Sequence, residues 1–496
     1  MVANAFCSNS VMSLMDGFWK TRYTLTKVFL ASGHYGCSIT ITDTLFYLPY
    51  LETLGFDVHD SLADILGELE ILQEPHRCLV DLTLNTLSTS GDALKPLTRW
   101  CPYVKRLRLE YATPSALDVV NDYLPNVEML GYNNGYRLPP SREVLNQTYN
   151  NNKPITPVIN VNNMHIKEEQ GRLRAFYSNN GGQGIPGDEF LRLLQKNQKT
   201  LEILHANMSL TRQQEIDGGI NDNVRPDYAR KATNVVLNLD RLEKIMFWPD
   251  IYGVYGTLFS RIVGPSLKYF ESVGTSDFFA VVDTLINSQQ QFETLKFSKV
   301  FIEHSDERYD LAAQRLVRLL NEYAATSLPG PSTTKKLTNI MFDSCYFISD
   351  DVLDALANIK TIKGVGFQSV NRITYHGLKN FFIKLKTQNI QITTLRLGGM
   401  EDVADSEALL EIINTTENLE ALYLNKIWGI TADDIKAIIG SAKKLDILTV
   451  KQCDINSKDI VTFLNNRNRR LKHIEITDDD SDYGEDAPHF DFDAFD

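Results

Sequence analysis

Residues 419–424 read LEALYL, residues 445–450 read LDILTV, and residues 471–476 read LKHIEI. In each stretch apolar residues occupy positions one, four and six, and successive stretches begin 26 residues apart. Apolar spacing of this kind is typical of a short buried strand, so one copy alone says little about the fold. The distance between the copies is more informative, because a fixed period indicates repeated structural units.

The same six-residue pattern, here called the frame, recurs along the whole chain. Its sixteen copies begin at Leu25, Leu51, Leu79, Val104, Val127, Leu173, Leu201, Leu242, Leu267, Phe292, Leu337, Ile362, Ile392, Leu419, Leu445 and Leu471. Twelve of the fifteen intervals between successive starts measure 23 to 30 residues. Sixteen copies at one period predict a repeat protein in which every unit contributes a strand.

Amphipathic helical patterns lie between the frames. Residues 433–439 read DDIKAII after Thr431, a suitable helix N-cap, and residues 188–194 and 459–464 show a similar periodicity. Each unit then supplies one strand and one helix, and it cannot close a core alone. We predict an α/β leucine-rich-repeat solenoid, a horseshoe with parallel strands on the concave side and helices on the convex side.

Three units carry a more specific motif. Residues 337–353 read LTNIMFDSCYFISDDVL, residues 445–460 read LDILTVKQCDINSKDI, and residues 100–107 read WCPYVKRL, with cysteines at Cys345, Cys453 and Cys101. These units resemble the cysteine-containing, RNI-like leucine-rich repeats of F-box proteins, whose motif is L-x-x-L-x-L-x-x-C-x-x-I-T-D. The resemblance extends over most of the chain by period, and over these three units by motif.

The resemblance implies a function. F-box proteins of this type are substrate receptors of SCF ubiquitin ligases. It therefore implies a substrate-recognition subunit that binds a cullin-ligase adaptor and acts in ubiquitin-dependent protein catabolism. No F-box is recognisable, because only 24 residues precede the first frame. The alternative is a free-standing leucine-rich-repeat scaffold or inhibitor with no ubiquitin role.

The frames divide the chain into a cap, a solenoid and a tail. Residues 1–24 are predicted to form an N-terminal cap helix, with a remnant of an F-box or a docking helix for a partner as alternatives. The solenoid of sixteen units spans residues 25–477, with insertions near 133–171, 207–232 and 302–336. Residues 478–496 (DDDSDYGEDAPHFDFDAFD) carry nine carboxylates and no Lys or Arg, which predicts a disordered acidic tail.

Charge and composition argue against several classes of function. The 496 residues carry a net charge of −13, and the nine carboxylates of the tail leave −4 for the rest. Nucleic-acid binding needs clustered Lys and Arg, so no nucleic-acid partner is expected. Because no apolar run of membrane-spanning length and no secretory signal is present, we expect no membrane contact and a cytoplasmic or nuclear location. The six cysteines include no CxxC pair, so neither a disulfide framework nor a zinc site is expected.

Signals for catalysis are weak. Gly182, Gly184 and Gly187 satisfy G-x-G-x-x-G between a strand and a helix, but the next strand ends near His205 without the acidic residue of a dinucleotide site. An acidic cluster is interpreted as solvated charge at a helix start rather than a metal site; it comprises Glu303, His304, Asp306, Glu307 and Asp310. We expect no cofactor, no metal and no enzyme activity, with a nucleotide-using enzyme as the alternative.

The third, fifth and seventh positions of each frame should face the concave side, because side chains alternate along a strand. We expect these side chains to be exposed, among them Glu271, Lys296 and Ser298. Three glycines leave the later part of the face partly bare, which would admit a peptide backbone or else reflects tight strand packing: Gly364, Gly366 and Gly398. Five side chains are predicted to form one partner-binding patch: Tyr177, His205, Met246, Trp248 and Tyr269. Exposed aromatic and Met residues favour protein recognition, whereas insertion loops that fold back would bury them instead.

Overall fold

A computed structural model gives the fold of the protein. It describes residues 2–4, 8–31, 39–133, 171–178, 187–207, 237–248, 262–263, 266–274, 278–287, 292–300, 302, 305–326, 336–400, 412, 416–427, 429–453, 455, 457–466 and 471–477. The chain divides into two compact units. Unit 1 comprises residues 1–250 and 261–266, and unit 2 comprises residues 251–260 and 267–496.

Unit 1 is built on a parallel sheet. Its strands are β1 (Val2–Asn4), β2 (Lys27–Ala31), β3 (Thr53–Asp57), β4 (Asp81–Thr89), β5 (Arg106–Ala112), β6 (Met129–Tyr132), β7 (Ala175–Ser178), β8 (Ile203–Asn207), β9 (Leu237–Asn238), β10 (Lys244–Trp248) and β11 (Ile262–Val263). Consecutive strands from β1 to β8 pair in parallel, β8 pairs with β10, and β9 and β11 form a separate parallel pair. Its helices are α1 (Ser8–Thr21), α2 (Ile41–Tyr47), α3 (Leu62–Leu66), α4 (Gly91–Trp100), α5 (Pro114–Tyr123) and α6 (Gly187–Lys196), with a 3-10 turn at Leu69–Ile71.

Unit 2 repeats the same arrangement. Its strands are β12 (Tyr269–Val273), β13 (Thr294–Ser298), β14 (Asn339–Asp343), β15 (Gly364–Gln368), β16 (Thr394–Gly398), β17 (Ala421–Asn425), β18 (Ile447–Lys451) and β19 (His473–Thr477). All consecutive pairs are parallel. Its helices are α7 (Phe278–Asn287), α8 (Asp306–Thr326), α9 (Asp350–Leu356), α10 (Tyr375–Thr387), α11 (Ala432–Ser441) and α12 (Ser457–Asn466).

The frame fixes the register of the strands in both units. All sixteen frames form strands, and each of these strands begins two residues after the first residue of its frame. Like positions pair across strands: Leu295, Ile340 and Val365, all at position four, are register partners and are at most 3% exposed. The α/β class and the parallel strands are confirmed, and this arrangement is compatible with a leucine-rich-repeat solenoid. The horseshoe and the domain boundaries stay predictions.

A column of phenylalanines runs through the core of unit 2. Phe297, Phe342 and Phe367 occupy position six of three successive frames and are fully buried. Their rings are nearly parallel, with centroids 6.0 and 6.2 Å apart. Because every repeat places the same position above its neighbour, one residue type at position six becomes a continuous stack. Burial of each ring contributes about 1.5–3 kcal/mol to the free energy of unfolding.

Each strand from β12 to β18 is followed directly by a residue with left-handed backbone geometry. These residues occupy position eight of the frame, with φ between 49° and 90°: Gly274, Lys299, Ser344, Ser369, Gly399, Lys426 and Gln452. The N–H of each donates to the carbonyl at position seven of the next strand, over 2.7 to 2.9 Å. The five residues that are not glycine incur a conformational cost of roughly 1–2 kcal/mol each. This hydrogen bond between repeats helps to offset that cost.

The structure also describes the predicted N-cap at Thr431, the N-terminal cap region and part of the insertions. Thr431 is confirmed as an N-cap, because its hydroxyl accepts the N–H of Asp434 while the Asp434 carboxylate accepts the N–H of Thr431. Helix α1 lies in the predicted cap region, and the third insertion contains the 21-residue helix α8. Several predicted features lie outside the described residues: Gly182, Gly184, Glu303, His304, most of the first two insertions and the tail at 478–496. Among the described helices, none is long and apolar enough to cross a membrane.

Candidate functional site

Three of the predicted partner-binding residues lie side by side in unit 1. Tyr177 on β7 is the register partner of His205 on β8, which is in turn the register partner of Met246 on β10. The rings of Tyr177 and His205 meet edge to face, with centroids 6.1 Å apart. All three side chains are half-buried. The fifth frame position therefore brings them together, as the sequence predicts.

The other two predicted residues are placed differently. Trp248 is the last residue of β10 and is the register partner of Asn207 on β8. Tyr269 is the first residue of β12 and belongs to unit 2, where its hydroxyl donates to Oε2 of Glu271 over 2.6 Å. The partner-binding role of all five residues stays a prediction.

The face of each sheet that carries positions three, five and seven is here called the front face. In unit 1 it is partly open. Phe29 is 43% exposed and lies across Gly55, where a Cβ atom would come within 2.3 Å of the ring. Strand β5 and the residue that follows β6 carry a small polar network, in which Arg108 Nε donates to Oε1 of Glu110 and Asn133 Nδ2 donates to Oε2, each over 2.7 Å. The front face of unit 1 thus offers apolar surface between fixed polar groups.

On the front face of unit 2, two neighbouring strands carry a buried pair of opposite charges. Glu271 and Lys296 occupy position five of adjacent frames, and their Oε1 and Nζ atoms are 2.7 Å apart. Their side chains are only 3% and 8% exposed. Ser298 Oγ also donates to Glu271 over 3.3 Å. The prediction that Glu271, Lys296 and Ser298 are exposed is wrong, because opposite charges on neighbouring strands pair and the contacts exclude water.

The buried polar groups continue along the same sheet. Arg396 on β16 is 5% exposed, and its guanidinium lies 4.2 Å from the ring centroid of Tyr423 on β17. Burial lowers the pKa of Arg396, and the neighbouring Tyr423 partly opposes this shift. Burial raises the pKa of the Asp343 carboxyl, against the hydrogen bond from Ser344 and the charge of Lys296.

Gly366 does not leave this face bare. A Cβ atom at Gly366 would lie 3.0 Å from Cγ of Met341 and 3.4 Å from Cβ of Arg396. The larger side chains on both neighbouring strands therefore close over the glycine. At Gly366 the contacts agree with the second interpretation, tight strand packing, and not with a bare strip open to a peptide.

Several described titratable side chains are buried within the repeats. Within the described ranges no three His, Cys, Asp or Glu side chains are grouped so as to hold a metal ion. Burial raises the pKa of the Cys101 thiol to about 12 and also raises that of Cys345, which opposes thiolate formation. His76 is buried, with Nε2 2.9 Å from the carbonyl of Leu48 and Nδ1 accepting the N–H of Leu79. This histidine joins neighbouring repeats.

Comparison with known proteins gives likenesses among solved structures. No family model matches the chain, and no curated protein matches it. Among solved structures, the chain is similar to one in the crystal structure of the Rad7 and Elc1 complex in yeast, with a TM-score of 0.36 and 14% identity. That alignment covers 69% of this chain and 75% of the other. The description of the fold therefore rests on the strands and helices themselves.

Proposed function

We propose that this chain is a non-catalytic repeat protein that binds a protein partner through the front face of unit 1. The observation that carries the proposal is the row formed by Tyr177, His205 and Met246, three half-buried side chains in register on adjacent strands. Aromatic side chains offer large contact area at low entropic cost, and the flexible, polarizable Met side chain adapts to the surface of a partner. Two neighbouring positions of the corresponding row in unit 2 are occupied by a buried ion pair, Glu271 and Lys296, which favours unit 1 as the recognition surface.

A tagged full-length chain tests this proposal. Proteins recovered with the wild type are compared with those recovered by a variant carrying Tyr177→Ala, His205→Ala and Met246→Ala. Tyr103→Ala is the control, since Tyr103 is 49% exposed and lies outside this row. We expect at least one protein to bind the wild type and the control but not the triple variant. Truncation of a true anchor residue should weaken the free energy of binding by about 2 kcal/mol or more. Equal recovery by all three chains would contradict the proposal.

Within this function, we infer a role as the substrate-recognition subunit of an SCF-type ubiquitin ligase in the cytoplasm or nucleus. The support is the resemblance of the units around Cys101, Cys345 and Cys453 to F-box-type repeats. The same purification checks it, because a ligase subunit should recover a cullin and its adaptor. That recovery should persist in the triple variant, since the front face would hold substrate and not adaptor. If the triple variant loses the partner and no cullin is recovered with any of the chains, the free-standing scaffold or inhibitor is favoured.

A further inference from the structure

A second exposed surface lies at the ends of the first two helices of unit 1. It consists of six residues, here called the aromatic platform: Trp19, Arg22, Tyr23, Phe46, Tyr47 and Tyr50. Four of its rings are more than half exposed: Trp19 at 53%, Tyr23 at 64%, Phe46 at 51% and Tyr50 at 51%. Isolated exposed aromatics are common, but rings gathered in one place mark an interaction site.

The rings of the platform contact one another. Trp19 meets Tyr47 edge to face with centroids 6.3 Å apart, and Tyr47 meets Phe46 edge to face at 5.3 Å. Tyr23 and Tyr50 lie 6.1 Å apart at a tilted angle. Because these contacts are mostly edge to face and leave much ring surface exposed, ring faces remain available to a ligand.

The core of the repeat does not account for these side chains. In helix α1 the neighbouring Phe18 is 2% exposed and supplies the core contact, whereas Trp19 points to solvent. In helix α2 the buried positions are Ile41, Thr42, Thr44 and Leu45, and the exposed Phe46 follows them. The platform is therefore additional to what packing of the helices requires.

The platform also holds a positive charge. The guanidinium carbon of Arg22 lies 3.8 Å from the ring centroid of Trp19 and 4.6 Å from that of Tyr23. Its neighbour Lys20 is already paired with Asp16 over 2.5 Å. Among the described residues, none forms an ion pair with Arg22. A stacked guanidinium keeps N–H groups free along its edge, so it can receive a carboxylate while it remains on the rings.

We propose that the aromatic platform docks an extended, proline-rich segment of a partner protein that carries acidic side chains. Proline-rich segments bind aromatic surfaces because their extended helix is already formed, which lowers the entropic cost of binding. Proline rings pack on the open faces of the aromatic rings, and a carboxylate of the same segment pairs with Arg22. This site uses none of the front-face residues, so it stands independently of the function proposed above.

A lipid surface is the main alternative occupant. Helices that lie in a membrane interface carry several Lys or Arg residues on their polar face. The platform has one uncompensated cation and is distributed over the ends of two helices and the segments that follow them. Charge complementarity to a single acidic segment fits this arrangement better.

The probe is a fluorescent peptide of three Pro-Pro-Glu repeats. An extended proline helix has three residues per turn, so its glutamates lie along one edge and its prolines along the other two. Binding to the full-length protein is followed by fluorescence anisotropy at about 0.15 M salt, where repulsion by distant carboxylates is screened. Two further peptides serve as controls: Pro-Pro-Lys repeats reverse the charge, and Gly-Ser-Glu repeats remove the prolines.

We expect saturable binding of the Pro-Pro-Glu peptide and at least about tenfold weaker binding of both control peptides. Trp19→Ala and Tyr23→Ala should each weaken binding by about tenfold or more. Arg22→Met should remove the preference for glutamate over lysine. The matched control is Tyr123→Ala, because Tyr123 is also exposed, at 46%, and contacts the cation of Lys95 at 4.8 Å. It should leave affinity unchanged.

Several results would overturn the proposal. One is absence of saturable binding of the Pro-Pro-Glu peptide; another is affinity that does not change in Trp19→Ala and Tyr23→Ala. Sedimentation with anionic phosphatidylserine vesicles that is lost in the same variants would assign the platform to a membrane. Dimerisation that depends on Trp19 would assign it to a second copy of the chain. Melting temperatures verify folding, and Tyr23→Ala provides the readout if Trp19→Ala is unstable, since Tyr23 is the more exposed ring.

Discussion

The ion pair between Glu271 and Lys296 tests how unit 2 is stabilised. Lys296→Met removes the ammonium group but keeps a side chain of similar length. Glu271, whose side chain is 3% exposed, then loses its counter-charge at 2.7 Å. Removing one partner of a buried pair typically costs about 3–5 kcal/mol. We expect a loss near the lower end, about 3 kcal/mol, because the hydroxyls of Tyr269 and Ser298 still donate to the carboxylate.

The double variant Glu271→Leu with Lys296→Met should be less damaging than Lys296→Met alone. Replacing both charges of a buried pair with apolar groups removes the desolvation cost of each ion. The double variant still lacks an acceptor for the hydroxyls of Tyr269 and Ser298, which lowers the free energy of unfolding by about 1–2 kcal/mol in total. The half-buried hydroxyl of Tyr269 can turn toward water, which reduces this cost further. The double variant should therefore recover about 1–2 kcal/mol relative to the single one.

Urea unfolding of the full-length chain, followed by circular dichroism, measures these differences. Lys20→Met is the matched control, because Lys20 also pairs with a carboxylate but both side chains are more than half exposed. It should unfold like the wild type. A loss below about 1 kcal/mol for Lys296→Met would refute the argument from burial. A double variant that is as unstable as Lys296→Met, or less stable, would refute the argument from pairing.

Three further predictions concern single residues. Thr431→Ala removes the reciprocal cap of helix α11 and should lower the free energy of unfolding, measured by urea titration, by about 1 kcal/mol. Thr431→Asp should keep most of the stabilisation, because Asp is also a good N-cap. Burial lowers the pKa of His76 below its ordinary value of 6.5, against the hydrogen bond to Leu48. The buried neutral His76 therefore contributes its full stabilisation above pH 6.5. Below that pH the free energy of unfolding falls, because the unfolded state takes up a proton more readily than the folded state. His76→Asn should make the free energy of unfolding, measured by urea titration, depend less steeply on pH. Cys101 and Cys345 should resist iodoacetamide at about pH 8 in the folded chain and react after denaturation, and rapid native labelling read by mass spectrometry would contradict their burial.

The sequence predicts the strands well because the frame records burial directly. Apolar residues at positions four and six must face the core, so the frame specifies both the strand and its register. Strand β1 (Val2–Asn4) has no frame and gives no such signal. The left-handed residues at position eight were also not predicted, because Lys299, Ser344 and Gln452 do not have the usual preference for that geometry. There the backbone conformation is set by the hydrogen bond to the next repeat.

The candidate site shows where reasoning from single positions fails. Lys296 and Glu271 each look exposed when considered alone, because isolated charges are rarely buried. Their positions nevertheless contained a signal: opposite charges occupy the same frame position in consecutive units, which places them on adjacent strands. For the aromatic platform no such signal existed, since Phe18 and Trp19 are adjacent apolar residues and only the folded helix separates the buried ring from the exposed one.

We propose that one repeat geometry serves two purposes on the two front faces. Position five places a residue from every unit in one row, and strands in a sheet lie about 4.8 Å apart, so neighbours in that row must interact. Where the neighbours are Glu271 and Lys296, the interaction satisfies both side chains and leaves little for a ligand. Where they are Tyr177, His205 and Met246, no charge is neutralised and the contacts remain half open. Exchanging Tyr177 and His205 for a Lys and a Glu should therefore close the row in unit 1 and abolish partner binding, while the free energy of unfolding stays close to that of the wild type.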